Sequence, residues 1–202
     1  MLLNEVDLSG RVNDRILLRM ISWASGKRRK GRSSFRADLN HQVYFGTSMG
    51  AWTQTAMRGP SAWTIGEREL MAALVAKWNA CIYCTDVHSV VAAEHVGSAS
   101  VEAVLKNYEA APISVGLKAT LAFLETMTLR PSELTEGDAR AVLGRGVSEQ
   151  SLADAIAVGA MFNLITRYVN ALNFSIPTSD RRRRVVAALV QGGYPPRGAT
   201  PQ

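Results

Sequence analysis

The sequence predicts an all-α fold, and three observations carry the prediction. Apolar residues recur at helical spacing along most of the chain. No stretch alternates apolar and polar residues for long enough to form a strand. Capping residues and Gly/Pro pairs separate the helical runs. The first run covers residues 12–24, with Ile16, Leu17, Met20 and Ile21 on one face, and stops at Ser25-Gly26. Residues 37–64 are scattered, with a short helix expected through 52–57. Residues 67–78 form the next helix, led by Leu70, Met71, Leu74 and Val75. Asn79 is the expected N-cap of a helix that begins at Ala80, because an Asn side chain accepts from orphan helix amides.

Further helices are expected over residues 100–109 and 114–129, the second closed by Arg130-Pro131. Thr135-x-x-Asp138 has the form of a capping box and opens a short helix to Leu143. The longest run covers 148–172, and a last helix covers 179–190. The domain reading is an N-terminal helix and basic loop over 1–44, an all-α domain over 45–190, and a flexible Gly/Pro-rich tail over 191–202.

Bulk properties limit the function classes. With 202 residues, 47% hydrophobic and 20% charged, the chain suits one packed domain with an arm. No apolar run approaches the roughly 20 residues of a membrane span, and no signal-peptide pattern opens the chain. The expectation is a soluble cytoplasmic protein. The net charge of +6 comes from two clusters, Lys27–Lys30 with Arg32, and Arg181–Arg184. Neither interleaves aromatic residues for base stacking, so they read as a solvated loop and a solvated helix start, not a nucleic-acid surface.

The chemistry concentrates in Cys81-Ile82-Tyr83-Cys84-Thr85-Asp86-Val87-His88, which holds both cysteines. At about 100° per residue, positions 81, 84 and 88 share a narrow arc of a helix. A C-x-x-C in a chain without a signal peptide points to redox chemistry or metal binding rather than a structural disulfide. Cys81 in a first helical turn would meet unpaired amides and the positive helix end, both of which favour thiolate. Glu69, twelve residues before Cys81, supplies a carboxylate. The spacing from Cys81 to His95 covers about 21 Å of helix, too far for one metal ion, which leaves Cys81, Cys84 and His88 as the conceivable ligands. The plainer readings are buried thiols, a core histidine at His88, and a dipole-complementing carboxylate at Glu69. Asp86 reads as a solvated carboxylate. Asn163, Arg167 and Asn170 share a helix face as a hydrogen-bond network or a pocket lining.

Glu69, eleven residues, then Cys81-x-x-Cys84-x-x-x-His88 resembles the signature of the alkylhydroperoxidase D-like (AhpD-like) branch of the carboxymuconolactone decarboxylase family. Gly66-Glu67-Arg68-Glu69-Leu70, Asn79-Ala80-Cys81-Ile82-Tyr83-Cys84, Leu134-Thr135-Glu136-Gly137-Asp138 and Phe162-Asn163-Leu164-Ile165-Thr166-Arg167 extend the likeness toward its peroxidase-related subgroup, over roughly residues 45–175. The resemblance implies an AhpD-like helical domain with the C-x-x-C at the start of a core helix. It also implies a thiol-dependent peroxidase, with no cofactor. Cys84 would attack a hydroperoxide, Cys81 would resolve the sulfenic acid, His88 would relay or accept the Cys84 proton, and Glu69 would take a proton from Cys81. The implied partners are a lipoyl-bearing or thioredoxin-like dithiol reductant and further copies of the chain, as trimer or hexamer. One position departs from the pattern: some members carry His immediately before the second cysteine, where this chain has Tyr83, a poor base at neutral pH.

Two other functions compete. Carboxymuconolactone decarboxylase-like lyases share the superfamily but work without a cysteine pair. A redox- or metal-sensing binding protein would use Cys81 and Cys84 as a switch and the basic runs as contacts. For oligomerisation, Ala157, Gly159 and Ala160 offer a small-residue face, and Trp52, Trp63 and Trp78 read as core or interface residues.

Overall fold

The computed structural model describes residues 47–171, 174 and 176–194. The helix expected over 12–24 and the basic segment after it lie outside the described residues. Among those described, the chain forms eight α-helices and no strand, as the periodicity predicted. They are α1 (Thr47–Arg58), α2 (Ile65–Trp78), α3 (Ile82–Val96), α4 (Ser98–Asn107), α5 (Val115–Leu129), α6 (Glu136–Leu143), α7 (Glu149–Ala171) and α8 (Ser179–Gly192). A 3₁₀ turn, Pro131–Glu133, follows α5.

Local chemistry explains the boundaries. Thr64 caps α2 through a reciprocal box with Glu67, which fixes the helix start two residues earlier than the apolar pattern indicated. Ser114 caps α5, and the Thr135/Asp138 box caps α6 as expected. Asn79 is a correction. It closes α2 rather than opening α3, its backbone amide bonding back to the Val75 carbonyl while the Ala80 amide bonds to that of Lys77. Ala80 then adopts φ 52°, and Cys81 itself occupies the N-cap of α3. A left-handed residue between two helices turns the chain sharply enough to lay α3 back along α2.

The α2/α3 hairpin is the most extensive helix pairing. At its open end a Cβ on Gly66 would lie 2.5 Å from Val96 Cγ1, so only glycine permits the approach. Ten of the fourteen α2 residues are buried, so α2 is a central helix and not an amphipathic surface one. Helix α7 packs against α1, α2, α5 and α6. By length and composition α7 is a described helix able to cross a membrane, although no 20-residue run stood out in the sequence. Here it forms core, burying Leu152, Ala155, Val158, Met161 and Phe162. The loop before α2 is pinned to it: Trp63 Nε1 donates to the Ser151 carbonyl at 2.7 Å, and Ser61 donates to Asp154 at 2.6 Å. Trp63 is buried and Trp78 half-buried, as a core role requires, whereas Trp52 is exposed.

Helix α8 packs on α3. It runs to Gly192, two residues into the stretch expected to be tail, and Gly193-Tyr194 continues inward. Residues 195–202 lie outside the described residues.

Candidate functional site

The two thiols sit where α2, α3 and α7 meet. Cys81 and Cys84 are both buried, in a small cluster with Ala76 and Val169 against which Tyr83, Ile165 and Phe174 pack. Both are free thiols. The turn that presents Cys81 is held from α7. Asn79 Nδ2 donates to Asn163 Oδ1 at 2.9 Å, Asn163 Nδ2 donates to Thr128 Oγ1 at 3.0 Å, and Asn170 Nδ2 donates to the Asn79 carbonyl at 3.0 Å. Arg167 also donates to Asn163. The Asn163–Arg167–Asn170 face is thus a hydrogen-bond network that fixes the cysteine turn.

The thiols are electrostatically unequal. The Cys84 thiol donates to Cys81, and that contact is the main reason Cys81 lies below the ordinary thiol value; burial opposes it. The Cys84 backbone amide assists as a nearby dipole without completing a cap hydrogen bond. Cys84 is pushed far up, first by its bond to Cys81 and then by burial. The pair therefore shares a proton, with the first charge resting on Cys81.

Glu69 and His88 are brought together. The carboxylate is fully buried in the middle of α2, and its Oε2 lies 2.7 Å from His88 Nδ1. A carboxylate only accepts, so Nδ1 carries the hydrogen of this contact, and Nε2 is the other ring nitrogen. Phe162 meets the ring edge-on, with centroids 4.6 Å apart. His88 lies four residues after Cys84 on α3, which places both on one helix face.

Two residues of this site were not readable in the sequence. Arg58, at the end of α1, donates from Nη2 to Glu69 Oε1 at 2.7 Å. Tyr194, after α8, donates its hydroxyl to the same oxygen at 2.9 Å and lies 3.2 Å from His88 Nδ1. Neither belongs to a local motif; each reaches Glu69 only through the tertiary fold. Burial works to raise the Glu69 carboxyl, but the His88 hydrogen bond and charge, followed by Arg58, outweigh it and hold it below its usual value. Both carboxylate oxygens are thus committed, Oε2 to His88 and Oε1 to Arg58 and Tyr194.

Other expected features are placed differently. Asp86 is not freely solvated: it accepts from Arg182 of α8 at 2.7 Å. Arg183 pairs with Asp180, so the Arg181–Arg184 run is partly spent on ion pairs. His95 is exposed at the far end of α3, beside Gly66. Among the described residues, no set of three or more His, Cys, Asp or Glu side chains converges as metal ligands. Tyr83 packs edge-on against Phe174 at 5.7 Å.

No protein-family model matches the sequence, and no curated protein matches it. Solved structures do. An uncharacterized peroxidase-related protein from Silicibacter sp. TM1040 superposes with a TM-score of 0.70 at 21% identity, covering 88% of this chain and 91% of that one. The chain has the AhpD-like helical fold. A second structure with an AhpD core, an uncharacterized peroxidase-related protein from Ralstonia eutropha JMP134, gives 0.67 at 22% identity over 83% and 86% of the two chains. Within this AhpD-like fold the C-x-x-C stands at the start of α3, in the position the sequence resemblance implied.

Proposed function

We propose that the protein is an oxidoreductase, a thiol-dependent peroxidase that reduces hydroperoxides through a Cys81/Cys84 dithiol–disulfide cycle. The observation that carries this reading is a pair of buried free thiols at the start of α3 with a buried Glu69–His88 pair one helical turn beyond Cys84. Cys84 attacks the terminal oxygen of the hydroperoxide as a thiolate, the O–O bond breaks, and an alcohol leaves as Cys84 becomes a sulfenic acid. The Cys84 proton passes to His88 Nε2 and on to the departing alkoxide. Glu69 keeps the ring oriented and stabilises the imidazolium while it lasts. Cys81 then attacks the Cys84 sulfur, the S–O bond breaks, and hydroxide leaves with the Cys81 proton as water. A dithiol, lipoyl-bearing or thioredoxin-like, reduces the 81–84 disulfide and is itself oxidised. The same reading places the enzyme in the cytoplasm as a homo-oligomer.

The reverse order, with Cys81 attacking and Cys84 resolving, is favoured by one observation, the greater acidity of Cys81. Lyase chemistry leaves the thiol pair without a role, and a sensor would form the disulfide without turning over peroxide. The deciding experiment measures hydrogen-peroxide and cumene-hydroperoxide turnover with dihydrolipoamide in wild type, Cys84→Ser and Cys81→Ser. Loss of turnover in both variants, with sulfenic acid trapped only in Cys81→Ser, supports the stated order. Trapping only in Cys84→Ser supports the reverse. A fully reduced wild type that consumes neither peroxide rejects the peroxidase reading.

A further inference from the structure

We infer that Tyr194 is a positioning residue of the acid–base site, its hydroxyl delivered by the chain beyond α8 to hold the Glu69 carboxylate against His88. The inference rests on the peroxidase reading for its catalytic meaning, and on geometry for the contact itself.

Four features build the position. The Tyr194 hydroxyl donates to Glu69 Oε1 at 2.9 Å and lies 3.2 Å from His88 Nδ1. Its ring stacks on His88, with planes 21° apart and centroids separated by 6.2 Å. Arg58, which donates to the same carboxylate oxygen, lies over the Tyr194 ring, its guanidinium 5.0 Å from the ring centroid and its Nη2 also donating to the Leu189 carbonyl at 3.1 Å. The Tyr194 backbone amide donates to Gln54 Oε1 of α1.

The turn that aims the ring is specific as well. Gly193 has φ 65°, and a Cβ there would come within 2.7 Å of Gln54 Oε1 and 2.9 Å of Arg58 Cγ. The position needs both left-handed backbone and an absent side chain. Tyr194 is half-buried, and its hydroxyl reaches the fully buried carboxylate. The phenol O–H thereby adds a third hydrogen bond to a carboxylate also held by Arg58 and His88, and so helps keep it facing His88 Nδ1. Among the described residues, the charged or titratable groups facing Glu69 are Arg58 from α1, Arg68 from α2, His88 from α3, and Tyr194 itself.

The test is Tyr194→Phe in the full chain, which keeps the ring and deletes one oxygen. A hydrogen bond to a carboxylate favours its ionised form, so losing it lets Glu69 protonate at higher pH. The acidic limb of kcat/KM for cumene hydroperoxide should move up by about one pH unit, with a fall of about tenfold on the plateau, the size of one charge-assisted hydrogen bond. The Glu69 carboxyl resonance in ¹³C-glutamate-labelled protein, assigned with Glu69→Gln, should titrate at correspondingly higher pH. That readout needs no turnover, so it decides the Tyr194 contact even where the peroxidase reading fails. A folded Tyr194→Phe protein with an unmoved Glu69 resonance overturns the contact. A moved resonance with an unmoved pH–rate limb overturns its role in catalysis. Should Tyr194→Phe not fold, Gln54→Ala loosens the Tyr194 backbone instead, and the same upward shifts, smaller in size, are expected. Their absence overturns the inference.

Discussion

Glu69 is fully buried and accepts from His88, Arg58 and Tyr194 at once. Its energetic role follows from what its removal would strand. Arg58 and His88 have side chains only 9% exposed, so Glu69→Ala leaves a buried cation without its partner. A loss of about 3–5 kcal/mol in denaturant unfolding is expected, together with loss of turnover. The pH dependence has a definite sign. The folded carboxyl sits below its unfolded value of about 4.3, so its stabilisation is complete above that pH and is lost as pH falls through the folded value. Glu69→Gln should flatten this acid-side loss in unfolding curves taken across the range. Legibility at this scale followed sequence distance. Cys84 and His88 are one turn apart on one helix, so spacing alone puts them on one face. Arg58 and Tyr194 lie eleven and 125 residues from Glu69, in contacts that no periodicity encodes.

Among the elements, the turn between α2 and α3 governs where the thiols stand. The apolar pattern located both helices, because their cores repeat with helical period. The joint was misassigned, because Asn serves at either end of a helix and only the backbone conformation distinguishes them. Ala80 takes the left-handed conformation there without being glycine. Ala80→Gly should therefore raise stability by about 0.5–1 kcal/mol in chemical unfolding, provided the Asn163 and Asn170 bonds keep the turn in place. A destabilised Ala80→Gly protein would show that the positive φ is not strained. The Arg182–Asp86 pair joining α8 to α3 contributes less, since Arg182 is 40% exposed and water screens the attraction.

Across the whole molecule, α7 ties α1, α2, α5 and α6 together, and Gly159 shows how. Its small-residue face was read as permitting close helix packing, because a sequence cannot tell which helix such a face meets. The structure places Leu124 of α5 there, where a Cβ on Gly159 would approach its Cδ2 to 2.8 Å. Gly159→Val should lower stability by about 1–3 kcal/mol through overpacking, read by thermal unfolding. A variant as stable as wild type would show that α5 can yield. The fold class was legible in full because helical period and caps are local signals. The C-terminal stretch was not, because Gly and Pro look like a tail even where Gly193 is the bend that brings Tyr194 to the site. One measurement bears most directly on the account: single turnover of the fully reduced protein with one equivalent of cumene hydroperoxide, followed by peptide mapping. The account predicts one alcohol released per chain and a Cys81–Cys84 disulfide. Recovery of the peroxide with both thiols intact would contradict it.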